Sequence, residues 1–245
     1  FHDYCLKNNN ISEFIRFHLF ENHDVLEGFN GKKILVHSVI CRDLKKPSDQ
    51  DLESRLIKDV KKAENFGLTV EFDYTGTSKM DFLRIYTETM NRNQAKDFYY
   101  IDQTFLDKLQ KNLDGQFLYA NTRLNGEVIA SRLIIFDDKY GYYFLGGNSK
   151  EYYKYKNGTF LDYKLLIELK DKGLKSYVFG GGYEGEDGIY KYKKKFDKLG
   201  EVPFYIGKKI HMEKEYQHLT LLRKEEGHYN SETLFFPLYR APRNN

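Results

Sequence analysis

The sequence predicts a mixed α/β fold in which helices flank a largely antiparallel sheet, and three observations carry this prediction. First, Asn125-Gly126, a pair typical of two-residue hairpin turns, separates strand-like runs at 117–124 and 127–136. Second, apolar residues recur at helical spacing in segments on both sides of these strands. Third, helical and strand-like segments alternate after the hairpin, and no short unit repeats along the chain.

Composition excludes several classes of protein. The 245 residues include 39 Lys and Arg against 36 Asp and Glu, and a net charge of +3 does not suggest a DNA-binding protein. Hydrophobic residues make up 40% of the chain and only 4 residues are proline, which argues against disorder. No apolar run approaches the roughly 18–20 residues that span a bilayer, and the chain does not open on a signal peptide.

The first 45 residues contain short elements that do not make a self-sufficient unit. The segment 1–7 is expected to end a helix, 14–20 is expected to be extended, and 34–40 is predicted to be a buried strand. The chain begins with Phe1 rather than Met. These elements are therefore interpreted as the end of a domain that begins upstream.

Three amphipathic helices are predicted next. Ser48 and Asp51 match a capping box, so the first helix is expected to begin there and to end at Gly67. A short extended segment follows it. The remaining two helices are predicted over 79–90 and 103–113.

The clearest block is an antiparallel meander. Its first two strands flank the Asn125-Gly126 turn, and a third strand over 140–145 is expected to stop at Gly146-Gly147-Asn148. The elements predicted after it are a helix over 160–172 that ends at Gly173, a strand over 175–179, a helix over 189–199 and an extended segment over 202–210.

Several short motifs occur in a fixed order along the chain. They are 14–18 (FIRFH) followed by Asn22, 61–67 (KKAENFG), 86–92 (YTETMNR), 98–100 (FYY), and 192–196 (YKKKF) preceded by the glycines 180–182. In this order and spacing they resemble the Fem-like branch of the GNAT superfamily. That branch includes peptidoglycan-bridge aminoacyl transferases and acyltransferases of cell-envelope polysaccharide biosynthesis. The resemblance covers nearly the whole chain.

The resemblance implies both a fold and an activity. It implies a GNAT-like fold, with 1–45 as the remnant of an N-terminal GNAT-like half and 46–245 as a GNAT-like acyltransferase domain. The implied reaction moves an acyl or aminoacyl group to an amine of a cell-envelope precursor, an amino sugar or a peptide, by direct attack without a covalent enzyme intermediate. The precursor would be a small molecule or lipid-linked. The implied donor is an acyl-CoA such as acetyl-CoA, with aminoacyl-tRNA as the alternative.

The donor site is expected at the start of the predicted helix over 160–172. GNAT enzymes hold the CoA pyrophosphate at a helix N-terminus, where backbone N–H groups and the positive end of the helix dipole face the phosphates. By resemblance, the cofactor-binding candidates are Gly147, Asn157, Gly158 and Thr159. Tyr155 and Phe160 depart from the usual Q/R-x-x-G-x-G/A loop, which argues mildly against CoA.

The candidates for substrate binding are Arg92, Tyr100, Lys193, Gly181 and Gly182. By resemblance, Arg92 and Tyr100 contact the acceptor and Lys193 meets an anionic group of the substrate or donor. The guanidinium of arginine and the ammonium of lysine both bind phosphate. The alternatives are a solvated helix face for Lys193, an exposed helix end for Arg92 and a half-buried packing residue for Tyr100. Backbone N–H groups of the two glycines could hold a phosphate, although the P-loop pattern is absent.

The candidates for catalysis are Tyr192, Glu184 and Glu186. Tyr192 stands where GNAT enzymes often keep a tyrosine that protonates the leaving group, and the alternative is that it packs in the core. Glu184 and Glu186 lie in a glycine-rich loop after a strand end, where ligands gather in open α/β sheets. Either could take the proton of the attacking amine, and the alternative for both is an ordinary acidic turn.

The chain shows no metal-binding pattern and no disulfide framework. The spacings of its histidines and of Cys5 and Cys41 fit no zinc site. Unpaired cysteines favour a reducing, cytoplasmic setting, and a peripheral position at the inner face of the membrane is compatible with it.

Two alternatives to CoA-dependent transfer stay open. The modest charge argues mildly against tRNA, because phosphate contacts need clustered Lys and Arg. The sequence also lacks the long charged helical pair of Fem enzymes with a tRNA-binding arm. The second alternative is a catalytically silent GNAT-like domain that binds a glycan or a nucleotide.

Overall fold

The computed structural model describes residues 1–183, 185–226 and 233–242. The chain divides into two compact units: Phe1–Ser38 with Val202–Asn245 forms the first, and Val39–Glu201 forms the second. These bounds differ from the predicted division at residue 45, which stays a prediction.

The described residues form helices and strands in an alternating order. The helices are α1 (His2–Lys7), α2 (His23–Gly28), α3 (Ser54–Asn65), α4 (Lys79–Arg92), α5 (Gln103–Asn112), α6 (Asn157–Asp171), α7 (Gly188–Lys194) and α8 (Glu213–Glu225). The strands are β1 (Ser12–Arg16), β2 (Lys32–Asp43), β3 (Thr69–Asp73), β4 (Phe117–Leu124), β5 (Glu127–Phe136), β6 (Tyr140–Asn148), β7 (Ser176–Gly180) and β8 (Glu201–Ile210). In this part of the chain no helix has both the length and the apolar character to cross a membrane.

The first unit is organised around an antiparallel strand pair. Strand β1 pairs with β8 along its whole length, from Ser12 opposite Ile210 to Arg16 opposite Ile206. A side chain at Gly207 would lie 2.7 Å from the ring of Phe29, so glycine allows this close packing.

The second unit contains a sheet with the strand order β2-β7-β6-β5-β4-β3. Its pairs are antiparallel except β6 with β7, which is parallel. Residues of β4 alternate between two cores: Leu118 and Ala120 pack with α3 and α6, while Phe117 and Tyr119 pack with α4 and α5. Helices therefore cover both faces, and the predicted mixed α/β fold with a largely antiparallel sheet is confirmed.

The predicted hairpin between β4 and β5 is confirmed. Leu124 pairs with Glu127, and the two turn residues adopt the positive φ angles of a type I′ turn, 52° at Asn125 and 85° at Gly126. The strands that flank it match the predicted bounds. Gly173 also ends α6 as predicted, with φ 89°.

The first amphipathic helix begins later than its capping-box pattern predicts. Helix α3 begins at Ser54, and Ser48 caps no helix. The buried Arg42 explains this difference, because its guanidinium donates to the carbonyl oxygens of Pro47 at 2.6 Å and Gln50 at 2.5 Å. These bonds hold the segment in turns, so the helix cannot start there.

The third meander strand is longer than predicted. Strand β6 continues through Gly146 and Gly147 to Asn148. A Cβ at Gly147 would lie 2.6 Å from the carbonyl oxygen of Ile85 in α4. These glycines therefore let a helix approach the strand and do not break it.

Four more helices differ from the predictions, and the short α2 is one that was not predicted. Helix α6 begins at Asn157, ahead of the predicted start at residue 160, and α7 ends at Lys194, ahead of the predicted end at residue 199. Helix α8 was not predicted; its residues Tyr216 and Thr220 are buried one helical turn apart. An apolar pattern this sparse is weak evidence for a helix.

The turn between β3 and α4 depends on the carboxylate of Asp73, which is 6% exposed. It accepts bonds from the backbone N–H groups of Thr75 (2.8 Å), Gly76 (2.9 Å) and Ser78 (2.7 Å), and from the hydroxyls of Thr75, Thr77 and Ser78. Burial by itself would raise the pKa of this carboxyl. The hydrogen bonds outweigh burial and hold the pKa well below its ordinary value.

We expect Asp73→Asn to lower the free energy of unfolding by about 2–3 kcal/mol at pH 7, because buried donors lose their acceptor. Because the pKa of Asp73 is lower in the folded state than in the unfolded state, the ionised carboxylate stabilises the fold fully above the unfolded-state pKa of about 4. This stabilisation is lost as the pH falls from there towards the folded-state pKa. The stability gap between wild type and variant should therefore narrow from pH 7 to pH 3. Urea unfolding at both pH values measures it.

Asp114→Asn is the matched control, since the Asp114 carboxylate is exposed. We expect it to unfold like wild type at both pH values. A gap for Asp73→Asn that stays constant between pH 7 and pH 3 would contradict the proposed role of the ionised carboxylate.

Candidate active site

The second unit opens into a cleft where strands β6 and β7 stop pairing. Their parallel register covers only Tyr140–Tyr142 with Ser176–Val178, although β6 continues to Asn148. The space beyond the last pair is a cleft of about 490 Å³, which we call the main cleft. Its walls include Tyr143 and Gly146 from β6, and Phe179 and Gly181 from β7 and the loop that follows.

A buried ion pair forms one wall of the main cleft. Arg132 of β5 is 2% exposed and Asp162 of α6 is 0% exposed. The guanidinium Nε and Nη2 of Arg132 donate to the two oxygens of Asp162 at 2.8 and 3.0 Å. Nη1 donates to the carbonyl oxygens of Ser131 (3.0 Å) and Gly147 (2.9 Å). Each charge is therefore paired and hydrogen-bonded, as a buried charge must be.

The predicted acid Tyr192 is bonded to this ion pair. Its hydroxyl donates to Oδ2 of Asp162 at 2.6 Å. Burial and the Asp162 charge raise the pKa of Tyr192 well above its ordinary value, although the Arg132 charge and a hydrogen bond with Thr159 act in the opposite direction. The hydroxyl proton thus faces a carboxylate within the protein, although the residue lines the main cleft.

The predicted substrate ligand Lys193 lies in the main cleft beside the glycines that follow β7. Its Nζ donates to the carbonyl oxygen of Gly181 at 2.7 Å and lies 5.5 Å from the ring centroid of Tyr143. Burial lowers the pKa of Lys193 to about 8, with Asp162 and Asp187 acting in the opposite direction. Lys193 is therefore still mostly cationic at pH 7.

Arg92, predicted to bind the acceptor, also lines the main cleft. Its Nη1 donates to the carbonyl oxygen of Asn148 at 3.1 Å, and its guanidinium carbon lies 5.6 Å from the ring centroid of Tyr153. Glu88 lies 3.7 Å away on the same helix, and 40% of its side chain is exposed. A pair this exposed screens the Arg92 charge only in part.

A second cavity of about 330 Å³, the α6 cavity, opens at the N-terminus of that helix. The predicted cofactor residues Asn157, Gly158 and Thr159 all line it, together with Lys156. Asn157 itself is buried, and its side-chain amide donates to the carbonyl oxygen of Ile129 at 2.9 Å. Its side chain therefore connects α6 to the sheet.

Gly158 is required by packing within the protein. A Cβ there would lie 2.6 Å from Oδ1 of Asn148 and 3.2 Å from Nη2 of Arg132. The missing side chain thus makes room for the buried ion pair. The resemblance, by contrast, predicts that this glycine lets a phosphate group come close to the backbone.

Gly182, predicted with Gly181 to bind substrate, also lines the main cleft. Three other predicted residues, Gly147, Tyr100 and Glu186, do not line it. Gly147 packs against α4 and lines neither cavity. Tyr100 is 41% exposed and also lines neither. Glu186 is exposed and acts electrostatically on Tyr190 and Lys194. Glu184 lies outside the described residues.

Arg132 and Asp162 were missed by the sequence reasoning. A signal for both existed: Arg132 interrupts the apolar run of β5, and Asp162 interrupts the apolar start of α6. A charged residue inside a buried element needs a partner of opposite charge. Their pairing could have been suspected from this alone.

The described residues hold no group of three or more His, Cys, Asp or Glu side chains arranged for a metal ion. The side chains that line the two cavities include cations, amides, tyrosines and the carboxylate of Asp162.

Solved structures share this fold at low sequence identity. FemX is 16% identical, with a TM-score of 0.68 over 88% of this chain and 76% of FemX. L-PGS from Bacillus licheniformis is 15% identical, with a TM-score of 0.59 over 86% of this chain and 72% of that protein.

A C-terminal domain from a lysylphosphatidylglycerol synthetase candidate of Agrobacterium fabrum is 14% identical, with a TM-score of 0.59. This match covers 73% of the chain but only 61% of that domain's own length. A search of curated protein sequences finds no significant match.

The family model of the GNAT acetyltransferase domain matches residues 53–194, which is more than half of the chain. The matched range contains both walls of the main cleft and the start of α6. The predicted Fem-like GNAT resemblance agrees with this match and with the FemX fold. The protein therefore belongs to the GNAT acetyltransferase-domain family and is an acyltransferase.

Proposed function

We propose that this acyltransferase moves an acyl or aminoacyl group to an amine of a cell-envelope precursor that carries a phosphate group. The observation that carries the proposal is the pair of cations Lys193 and Arg92 in one cleft. The charge of the third cation, Arg132, is already matched by Asp162. Arg92 is compensated only in part by the half-exposed Glu88, and Lys193 only through the nearby charges of Asp162 and Asp187, so an anionic substrate would add to this compensation.

The charge balance of the main cleft supports an anionic substrate. Asp162 is the carboxylate among the described lining residues, and it is fully engaged by Arg132 and Tyr192. Lys193 is held by a neutral carbonyl, and Arg92 has a partly exposed partner. Both cations are partly buried, and partial burial strengthens their attraction to a phosphate.

The reaction follows from the chemistry of acyl transfer. The lone pair of the acceptor nitrogen forms a bond to the acyl carbon, and the carbonyl π pair moves to oxygen. When the tetrahedral species collapses, the bond to the leaving group breaks and the C=O bond reforms. The attacking amine releases a proton to solvent, and the leaving sulfur or ribose oxygen takes one up.

The names of the similar structures support a phosphate-bearing acceptor. One is named as a lysylphosphatidylglycerol synthetase, and phosphatidylglycerol carries a phosphodiester. The α6 cavity, at a helix N-terminus next to Lys156, would take the phosphates of either an acyl-CoA or an aminoacyl-tRNA donor.

We expect turnover with acetyl-CoA or an aminoacyl-tRNA to be faster on a phosphorylated amine than on its neutral counterpart, for example glucosamine 1-phosphate against glucosamine. Lys193→Ala should lower kcat/KM for the phosphorylated acceptor by about 10–100-fold, the loss of one charge-assisted contact. It should change kcat/KM for the neutral acceptor much less. Initial rates with both acceptors measure this difference.

Lys191→Ala is the matched control, since Lys191 is an exposed residue of the same helix. We expect it to behave like wild type. Equal losses on both acceptors in Lys193→Ala would contradict phosphate recognition. Glycan binding without turnover on either donor would instead favour a silent binding domain.

The pH dependence should report the titration of Lys193. Its pKa is lowered to about 8, so the ammonium is present below that pH and is lost as the pH rises through it. We expect the ratio of kcat/KM between wild type and Lys193→Arg to fall above pH 8, because arginine stays charged. Using this ratio cancels the titration of the acceptor amine. A ratio that stays flat from pH 6.5 to 9.5 would contradict the cationic role.

Tyr192→Phe tests the predicted acid. Since the hydroxyl donates to Asp162, we expect kcat to stay within about threefold of wild type, whereas loss of a general acid typically lowers it by about 100-fold or more. The free energy of unfolding should fall by about 1.5–3 kcal/mol, as for a hydrogen bond to a charged group.

Tyr163→Phe provides the control for loss of a hydroxyl, because Tyr163 packs against the same core. It should retain both activity and stability. A large fall in kcat confined to Tyr192→Phe would restore the role of general acid to that residue.

A further inference from the structure

Asn148, the last residue of β6, lies where the main cleft and the α6 cavity meet. It lines both cavities, a property that it shares with Tyr153 and Tyr192. If the acceptor occupies the first cavity and the donor the second, the reacting carbonyl lies near this junction.

The side-chain amide of Asn148 has a defined orientation. Its Oδ1 accepts a hydrogen bond from Nη1 of Arg132 at 3.2 Å. A guanidinium can only donate, so the atom that faces it must be the amide oxygen. Arg132 is itself held by Asp162 through two bonds, and Gly158 leaves space for the oxygen. The buried ion pair therefore fixes which end of the amide faces inward.

The backbone of Asn148 is already engaged. Its N–H donates to Oγ1 of Thr89 at 3.1 Å, and its carbonyl oxygen accepts from Nη1 of Arg92 at 3.1 Å. A strand-edge N–H at this position therefore has no capacity for a substrate. Within the described part of the chain, Nδ2 is the polar atom of Asn148 that has no hydrogen-bond partner.

We propose that Nδ2 of Asn148 donates a hydrogen bond to the acyl carbonyl oxygen and stabilises the negative charge that develops on it. This inference rests on the proposed function, since it concerns the same acyl transfer. Asn148 would then be a catalytic residue, and Arg132 a positioning residue that acts through it.

The hydrogen bond from Asn148 would lower the barrier of one step of the reaction, the attack on the acyl carbon. As the acceptor nitrogen forms its bond to the acyl carbon, the carbonyl π electrons move to oxygen. The Nδ2–H group is oriented before this charge appears, so little reorganisation is needed when it forms. The charge is lost when the C=O bond reforms and the bond to the leaving sulfur or ribose oxygen breaks. The leaving atom takes up the proton that the amine released to solvent.

Two variants of the full chain test the proposal with acetyl-CoA and an aminoacyl-tRNA as donors. Asn148→Asp keeps an oxygen for Arg132 but has no N–H donor, and Asn148→Ala removes the amide without adding charge. We expect kcat to fall by about 100-fold in both, as when one oxyanion donor is removed. KM for the donor should change by less than about threefold, because the stabilised charge develops only in the transition state.

Asn91→Asp makes the same chemical change at an exposed position of α4 and should keep the wild-type kcat. Thermal unfolding of each variant shows whether it is folded at the assay temperature. A folded Asn148 variant with kcat within about threefold of an active wild type would overturn the role of Asn148 alone. Absence of turnover by the wild type with every donor would overturn the proposed function, and this role with it.

Discussion

The buried ion pair between Arg132 and Asp162 is the interaction on which the site depends. It joins strand β5 to helix α6, and Arg132 also bonds to the carbonyl oxygen of Gly147 in β6. Removing one partner of such a pair leaves a buried charge without compensation, which destabilises a protein by about 3–5 kcal/mol. The pair therefore constrains three elements at the point where the sheet opens.

The other polar groups of the site take their positions from this pair. Tyr192 is tied to Asp162, which places the next residue of α7, Lys193, beside Gly181 in the main cleft. The amide of Asn148 is oriented by Arg132. Gly158 is small because the pair and this amide fill the space that its side chain would need. A structural interaction thus arranges the groups that face a substrate.

Local patterns were reliable where neighbouring residues determine the structure. The hairpin at Asn125-Gly126 was correctly predicted, because positive φ angles are easily adopted by that pair. The motifs that resemble Fem-like GNAT proteins also pointed to Arg92 and Lys193, and both line the main cleft. The capping box at Ser48 failed because the buried side chain of Arg42, at the end of β2, binds the carbonyl groups of that segment, and a capping pattern does not register such a side-chain contact.

The sequence alone was sufficient for the fold class, the hairpin and the family, since periodicity, turn chemistry and ordered motifs are local properties. Tertiary structure decided which residues meet. Arg132 and Asp162 are 30 residues apart, and only the packing of α6 on the sheet brings them within 2.8 Å. It also separated Tyr100 and Gly147 from the cleft and turned the Tyr192 hydroxyl towards Asp162. Such contacts depend on the distance between elements, which no local pattern encodes.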